Sequence, residues 1–462
     1  MSPRAVTLLR TARERARTPG TAAVLVGSAA SGLGAYLFQV VGTRALGDEG
    51  YAPIGVLWTI QYLVLTIALI SVEAYVTRAV TLHAGNEGAL RRGMSGLAAW
   101  TVGVSAALCA TTWVWRGALF HGGHSGEFAV ITGLIVLTFG AYVAIRGWLA
   151  GSYRFTQYGV ATGIESMGRV AIVVPIAVLA PSARWIAWTL PAGPLLVVLW
   201  WLVVRRQGSP GLGLGMGAPV TGTWSTGRYL AATTIANASS QTLLAAGPLV
   251  LLPLGASAAE TSVFFVTITA ARAPLVFAIG GVLSRVLPPL TRVAHAGDYP
   301  RLRRIALWTA AAGMTVAVLA AIAGSWIGPS LVALLFGPDF RPDSVFVALA
   351  AAGVVSATAA LGLNQILIAM SAEGRLVAPW VTALAAGALT VTLISGSPTV
   401  RVATGFVVGE VVALLGLLSA VFTARLTPAI PTPDPVTAAY VGSRPQRPGQ
   451  SADQIEGELR AR

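Results

Sequence analysis

The sequence predicts an all-α integral membrane protein of about twelve transmembrane helices, in two six-helix lobes related by a parallel pseudo-twofold repeat. Three observations predict it: apolar stretches of spanning length recur along the chain, arginines concentrate in alternate connections, and one connecting segment is duplicated 212 residues later.

The 462 residues are 55% hydrophobic and only 10% charged, with a mean hydropathy of +0.73. A soluble domain carries about a quarter charged residues, so most of this surface faces lipid. A helix of about 20 apolar residues crosses the ~30 Å hydrocarbon core. Barrel strands need only ~10 residues of alternating character, and these stretches are too long and too evenly apolar for that. The expected spans are 21–43, 52–77, 93–115, 127–150, 159–180, 184–204, 227–251, 260–284, 304–328, 344–370, 376–395 and 401–423.

The net charge of +14 comes from 31 basic residues, all of them Arg. In a soluble chain that excess suggests nucleic acid; between apolar spans it reports orientation, and no nucleic-acid partner is expected. With the amino terminus inside, 24 arginines fall in inner segments, while Arg44, Arg116, Arg184, Arg341 and Arg401 fall outside. Arg169 and Arg272 lie within spans. This split follows the positive-inside rule and supports an even span count, with both termini cytoplasmic in the cell membrane.

The expected organisation is a basic cytoplasmic amino terminus (1–20), an N-lobe (21–204), a cytoplasmic inter-lobe linker (205–226), a C-lobe (227–423) and a disordered cytoplasmic tail (424–462). The basic residues at 4–17 precede an apolar run too long for a signal peptide and without an A-x-A site, so the first helix reads as retained. The tail is rich in Pro and polar residues. Cys109 stands alone and the four His are scattered without ligand spacing, so neither a disulfide, a metal nor a cofactor is expected.

The repeat lies in His83-Ala-Gly-Asn-Glu-Gly-Ala-Leu-Arg-Arg92 and His295-Ala-Gly-Asp-Tyr-Pro-Arg-Leu-Arg-Arg304, which share six of ten positions, each preceded by a Thr-Arg pair. Leu46-Gly47 and Leu254-Gly255 form a fainter echo. Six spans separate the copies. An even number gives parallel halves related by an axis along the membrane normal, a common transporter plan. The alternative is that both loops are simply basic connectors.

Gly42-Thr-Arg-Ala-Leu-Gly-Asp-Glu-Gly-Tyr51 resembles the "aR-x-LG-xx-xYG" signature of polysaccharide and oligosaccharide-lipid flippases, with Ala52-Pro53 where a Gly is usual. Val286-Leu-Pro-Pro-Leu290 with Ala296-Gly-Asp298 is similar to that family's second-half helix end and loop, and Leu334-Leu-Phe-Gly-Pro-Asp-Phe340 to its outer loop. The group belongs to the multidrug, oligosaccharidyl-lipid and polysaccharide flippase superfamily. The resemblance touches both lobes and agrees with the helix count. It implies a flippase that carries a polyprenyl-pyrophosphate-linked saccharide from the inner to the outer leaflet for cell-surface polysaccharide assembly. Its partners would be membrane lipids and the glycosyltransferases and polymerase of the same pathway.

Ionisable groups within spans are costly, at least ~2.5–3.5 kcal/mol near the centre, so they face a cavity or a partner. Five qualify: Glu73, Glu165, Arg169, Arg272 and Glu410. Glu165 and Arg169 have the i, i+4 order of a helical ion pair. Arg272 has no acid within one turn; it either lines the cavity and binds an anionic head group bidentately or pairs with Glu410 or Glu73. Glu410, Glu165 and Glu73 are the candidates for coupling or ion pairing. Arg272, Arg169, Arg44, Asn364, Gln365, Asn237 and Gln241 are the candidates for substrate binding, although the amides also suit interhelical bonding. Gly32, Gly34, Pro175, Pro191, Pro194, Pro248 and Pro274 mark expected bends.

Two other functions remain open. A cation-coupled multidrug exporter of the same superfamily would use cavity carboxylates, and the first span has none. A membrane-embedded polymerase or glycosyltransferase would need a large loop for its acid and base, whereas the longest loops have about 20 residues. An enzyme is therefore not expected. There is also no G-x-x-x-x-G-K-[ST] phosphate loop.

Overall fold

A computed structural model of the chain describes residues 20–82, 87–120, 124–206 and 226–424. The amino terminus, the His83–Asn86 part of the first repeat, most of the inter-lobe linker and the tail lie outside these residues. All regular structure among the described residues is helical.

The helical stretch Thr21–Val64 turns at Gly47, where φ is 69°, dividing it into α1 (21–46) and α2. After α2 passes through a π-helical turn at Leu65–Leu69 it continues to Leu82. The N-lobe is completed by α3 (Glu87–Val114), α4 (Ser125–Gly151), α5 (Phe155–Leu179) and α6 (Ala183–Arg206). The C-lobe begins with α7 (Thr226–Ala245), which bends by 63° into a short continuation starting at Gly247. Then follow α8 (Ala258–His295), α9 (Tyr299–Phe336), α10 (Ser344–Ala369), α11 (Val377–Leu393) and α12 (Pro398–Thr423).

The two lobes repeat at matching places. Gly47 and Gly255 both have positive φ, 69° and 78°, and each ends the first helix of its lobe. Only a residue without Cβ adopts positive φ freely, so the Leu-Gly echo marks matching helix ends, although ψ differs between them, −177° and 22°. The second His-Ala-Gly segment lies where α8 gives way to α9, and the first lies outside the described residues. In the C-lobe copy, Gly297 has φ +70° and Asp298 caps α9 by accepting from the Arg301 backbone N–H.

Within each lobe helices approach through small residues. A Cβ on Gly159 of α5 would lie 2.1 Å from the Ala23 carbonyl of α1, so only glycine permits that spacing. Large apolar side chains such as Leu179 and Trp326 are about four-fifths exposed and form the outer, lipid-facing surface.

Some expected boundaries and bends need correction. The spans 260–284 and 304–328 are parts of longer helices, α8 and α9, because polar residues continue a helix beyond the apolar layer. Pro175, Pro191 and Pro194 sit in uninterrupted helices, as do Gly32 and Gly34. Pro248 stands in the first turn after the real break, where its missing N–H costs no bond. α8 runs on through Pro274.

Candidate functional site

The lobes meet along α1 and α2 on one side and α7, α8 and the end of α9 on the other. At the Gly47 end, Arg44 Nε donates to the Leu335 carbonyl at 3.1 Å and its terminal nitrogen donates to the Leu334 carbonyl. Nearer the middle, the Tyr36 hydroxyl donates to the Thr269 carbonyl at 2.6 Å and the Tyr62 hydroxyl to Gln241 Oε1 at 3.0 Å. Asn237 Nδ2 donates at 2.9 Å to the carbonyl of Thr66, within the π-helical turn of α2. A π-turn releases backbone carbonyls from the regular ladder; this one serves the other lobe.

Arg272 lies at this junction. Its guanidinium sits over the Tyr62 ring, 4.6 Å from the centroid. Tyr62 and Arg272 are each fourteen residues into their helices, about 21 Å down the axis at 1.5 Å per residue. That depth is well inside the apolar layer. The guanidinium is half-buried, and neither expected ion pair forms, since among the described residues no carboxylate lies within 4.0 Å of it. Glu410 on α12 is near enough to interact electrostatically with Arg272, yet it is 1% exposed and neither carboxylate oxygen has a hydrogen-bond partner.

The other ionisable candidates are engaged within the N-lobe. Glu165 and Arg169 form the expected i, i+4 ion pair, 5% and 4% exposed, deep in the lobe rather than on a wet face. Glu165 also accepts from Ser166 at 2.6 Å. The Arg169 guanidinium is boxed by Phe38, Trp58 and Phe139, 5.1–5.8 Å from their centroids. Glu73 accepts from Tyr158 at 2.8 Å and pairs with Arg146 at 3.2 Å. Arg146, one of the 24 arginines expected in inner segments, instead lies within α4, five residues before the helix ends, and is largely buried against Tyr142 and Tyr158.

The amides divide likewise. Asn237 and Gln241 both bond across the lobes, Asn364 accepts from Trp380 Nε1 at 3.1 Å inside the C-lobe, and Gln365 is half-buried beside it. Sequence reasoning missed Tyr36, Tyr62, Arg146 and Trp380. A tyrosine in an apolar stretch looks like packing until its hydroxyl is seen to find an acceptor.

Four of the five outer arginines also have local reasons. Arg44, Arg116 and Arg401 each donate to carbonyls in the last turn of a helix, α9, α3 and α11 respectively. Helix carboxyl ends carry unsatisfied carbonyls and partial negative charge. Arg184 pairs with Glu127 at 2.9 Å. Among the described residues no group of three His, Cys, Asp or Glu could hold a metal.

This geometry defines a class: a multi-pass, two-lobed membrane protein with a polar junction between its lobes. Its fold is that of the MATE transporters of the MOP superfamily. A solved multidrug resistance MATE family transporter in an inward-facing conformation superimposes with a TM-score of 0.57, at 15% identity, over 83% of this chain and 92% of that one. A MATE protein in a bent conformation gives 0.51 at 14% identity, covering 87% and 95%. No family model matches. An uncharacterized protein of Mycobacterium tuberculosis is 25% identical over 348 residues, 72% of this chain and 76% of that protein. One of Mycobacterium bovis is 25% identical over 344 residues, 71% and 75%.

Proposed function

We propose that this protein is a flippase that moves an anionic lipid-linked saccharide, of the polyprenyl-pyrophosphate class, between leaflets by alternating access. The observation that carries this reading is the charge of the lobe junction. Among the described residues Arg272 is a cation with no carboxylate in ion-pair contact, whereas Glu73 and Glu165 are paired and Glu410, which acts on it only through space, is sealed in the C-lobe. An organic cation would need an accessible carboxylate at the same place. A pyrophosphate needs a fork of donors such as guanidinium.

The head group would rest between the lobes while its tail stays in the bilayer. No covalent step is required, so the protein is not proposed as an enzyme. The arginine distribution supports termini in the cytoplasm and a Gly47 end that faces outward. In this reading the Arg44 contacts hold the outer end shut, and inward opening to load requires the deeper Tyr62–Gln241 and Asn237–Thr66 bonds to part. An inside-negative potential favours outward movement of anions by ~2.3 kcal/mol per charge per 100 mV. Glycosyltransferases and a polymerase acting on the same carrier would be its functional partners.

The test is a proteoliposome assay with a fluorescent polyprenyl-pyrophosphate saccharide, scored by outer-leaflet quenching. Leaflet exchange that is lost with Arg272→Gln supports the proposal. Exchange unchanged by that substitution, or exchange of an organic cation dye in its place, removes it.

A further inference from the structure

A second feature of the C-lobe plays no part in the junction. Near the Gly47 end, the bent end of α7 stands away from α11 and α12 and leaves a cavity of about 320 Å³. Pro248, Phe264, Gly387, Val391 and Phe406 line its depth, and exposed Ala388 belongs to its mouth. The lining is apolar, and Ala388 with its neighbour Leu389 is exposed on the outer side of α11, the side that meets lipid in a spanning helix. Glycine keeps the walls thin: a Cβ on Gly405 would lie 2.7 Å from the Gly387 carbonyl.

A guanidinium stands at the rim. Arg401 Nε and a terminal nitrogen donate to the carbonyl of Val391, a lining residue, at 3.1 and 2.8 Å, and Val402 beside it lines the cavity too. Those two bonds use two of the five guanidinium N–H groups. The side chain is half-buried, and those two bonds leave three of its N–H groups for a ligand at the rim.

An empty apolar recess loses dispersion contacts, and the molecules that can enter this one from the side are lipid chains. A chain gains little by exchanging other chains for such walls, because lipid tails are as apolar as leucine. Selectivity must therefore come from the head group. We propose that this cavity is a site for one anionic phosphate-headed lipid, its acyl chain in the recess and its phosphate on Arg401. The site is separate from the translocation path and depends only on the chain's membrane fold.

The test is native mass spectrometry of the full chain purified in detergent and offered phosphatidylglycerol, phosphatidylcholine or glycerol 3-phosphate. Wild type should retain one phosphatidylglycerol about fivefold more tightly than phosphatidylcholine, the scale of one arginine acting on an anionic lipid. Arg401→Gln should erase that preference and Arg401→Lys should keep part of it. Ala388→Trp, which plugs the mouth, should lose the tight site, while Leu389→Trp, on the neighbouring exposed position, should keep it. Equal retention of the two lipids by wild type overturns the proposal, and that comparison needs no variant to fold. Retention unaffected by Ala388→Trp also overturns it, as does displacement by glycerol 3-phosphate, which would mark a site for free phosphate.

Discussion

The guanidinium of Arg272 in the C-lobe lies over the ring of Tyr62 in the N-lobe, 4.6 Å from its centroid, and Tyr62 in turn donates to Gln241 of the C-lobe. Two residues on different lobes at equal depth thus hold a positive charge where the lobes meet. The ring stabilises the cation without neutralising it, which leaves the N–H fork for an anion.

Arg272 is expected to govern translocation more than stability. Arg272→Gln should lower the flipping rate at least about tenfold, the effect of losing ~1.4 kcal/mol from a charge-assisted contact, while the melting temperature stays near wild type. Arg272→Lys should recover part of the rate, since charge survives and the bidentate fork does not. Quenching kinetics and thermal unfolding of the same preparations check both.

Glu165 and Arg169 are expected to matter for stability. Glu165→Gln leaves the buried Arg169 charge uncompensated among Phe38, Trp58 and Phe139. Breaking such a pair costs about 3–5 kcal/mol, so the melting temperature should fall. The double change Glu165→Gln with Arg169→Met should recover most of the loss. If the double variant melts no higher than the single one, the pair is not the source of the effect.

Arg44 is expected to act as a latch at the Gly47 end. In a Cys109→Ser background, a cysteine at Asn237 should react slowly with a charged thiol reagent added from that end. Arg44→Ala should raise the rate about tenfold, the population shift that ~1.4 kcal/mol of lost contact gives. No change in labelling would mean the Leu334 and Leu335 contacts do not hold the lobes.

The α1/α5 contact is expected to be intolerant of bulk. Gly159→Val places its Cβ against the Ala23 carbonyl, and backbone cannot give way cheaply. Overpacking of this kind costs about 1–3 kcal/mol, so a lower melting temperature should result. Gly163→Val, four residues on and in open space, is the control and should melt near wild type.

The sequence by itself determined the solvent, the helices and their number, because a spanning segment must satisfy its backbone internally and present apolar side chains along some 20 residues. It also gave away the repeat, through the matching Leu-Gly pairs at Gly47 and Gly255, and the Glu165–Arg169 pair, whose members are one helical turn apart. Which polar groups were left for a ligand was a tertiary matter. Asn237, Gln241, Asn364 and Arg169 looked alike as polar residues in apolar stretches, and Arg44 as an outer-loop cation, yet each meets an intramolecular partner, most of them on another helix. The partners of Arg146, Glu73 and Tyr62 lie 73, 73 and 179 residues away in sequence. Hydropathy records how deep a side chain sits; the packing of helices around their own axes decides which neighbour it faces, and no one-dimensional pattern contains that rotation.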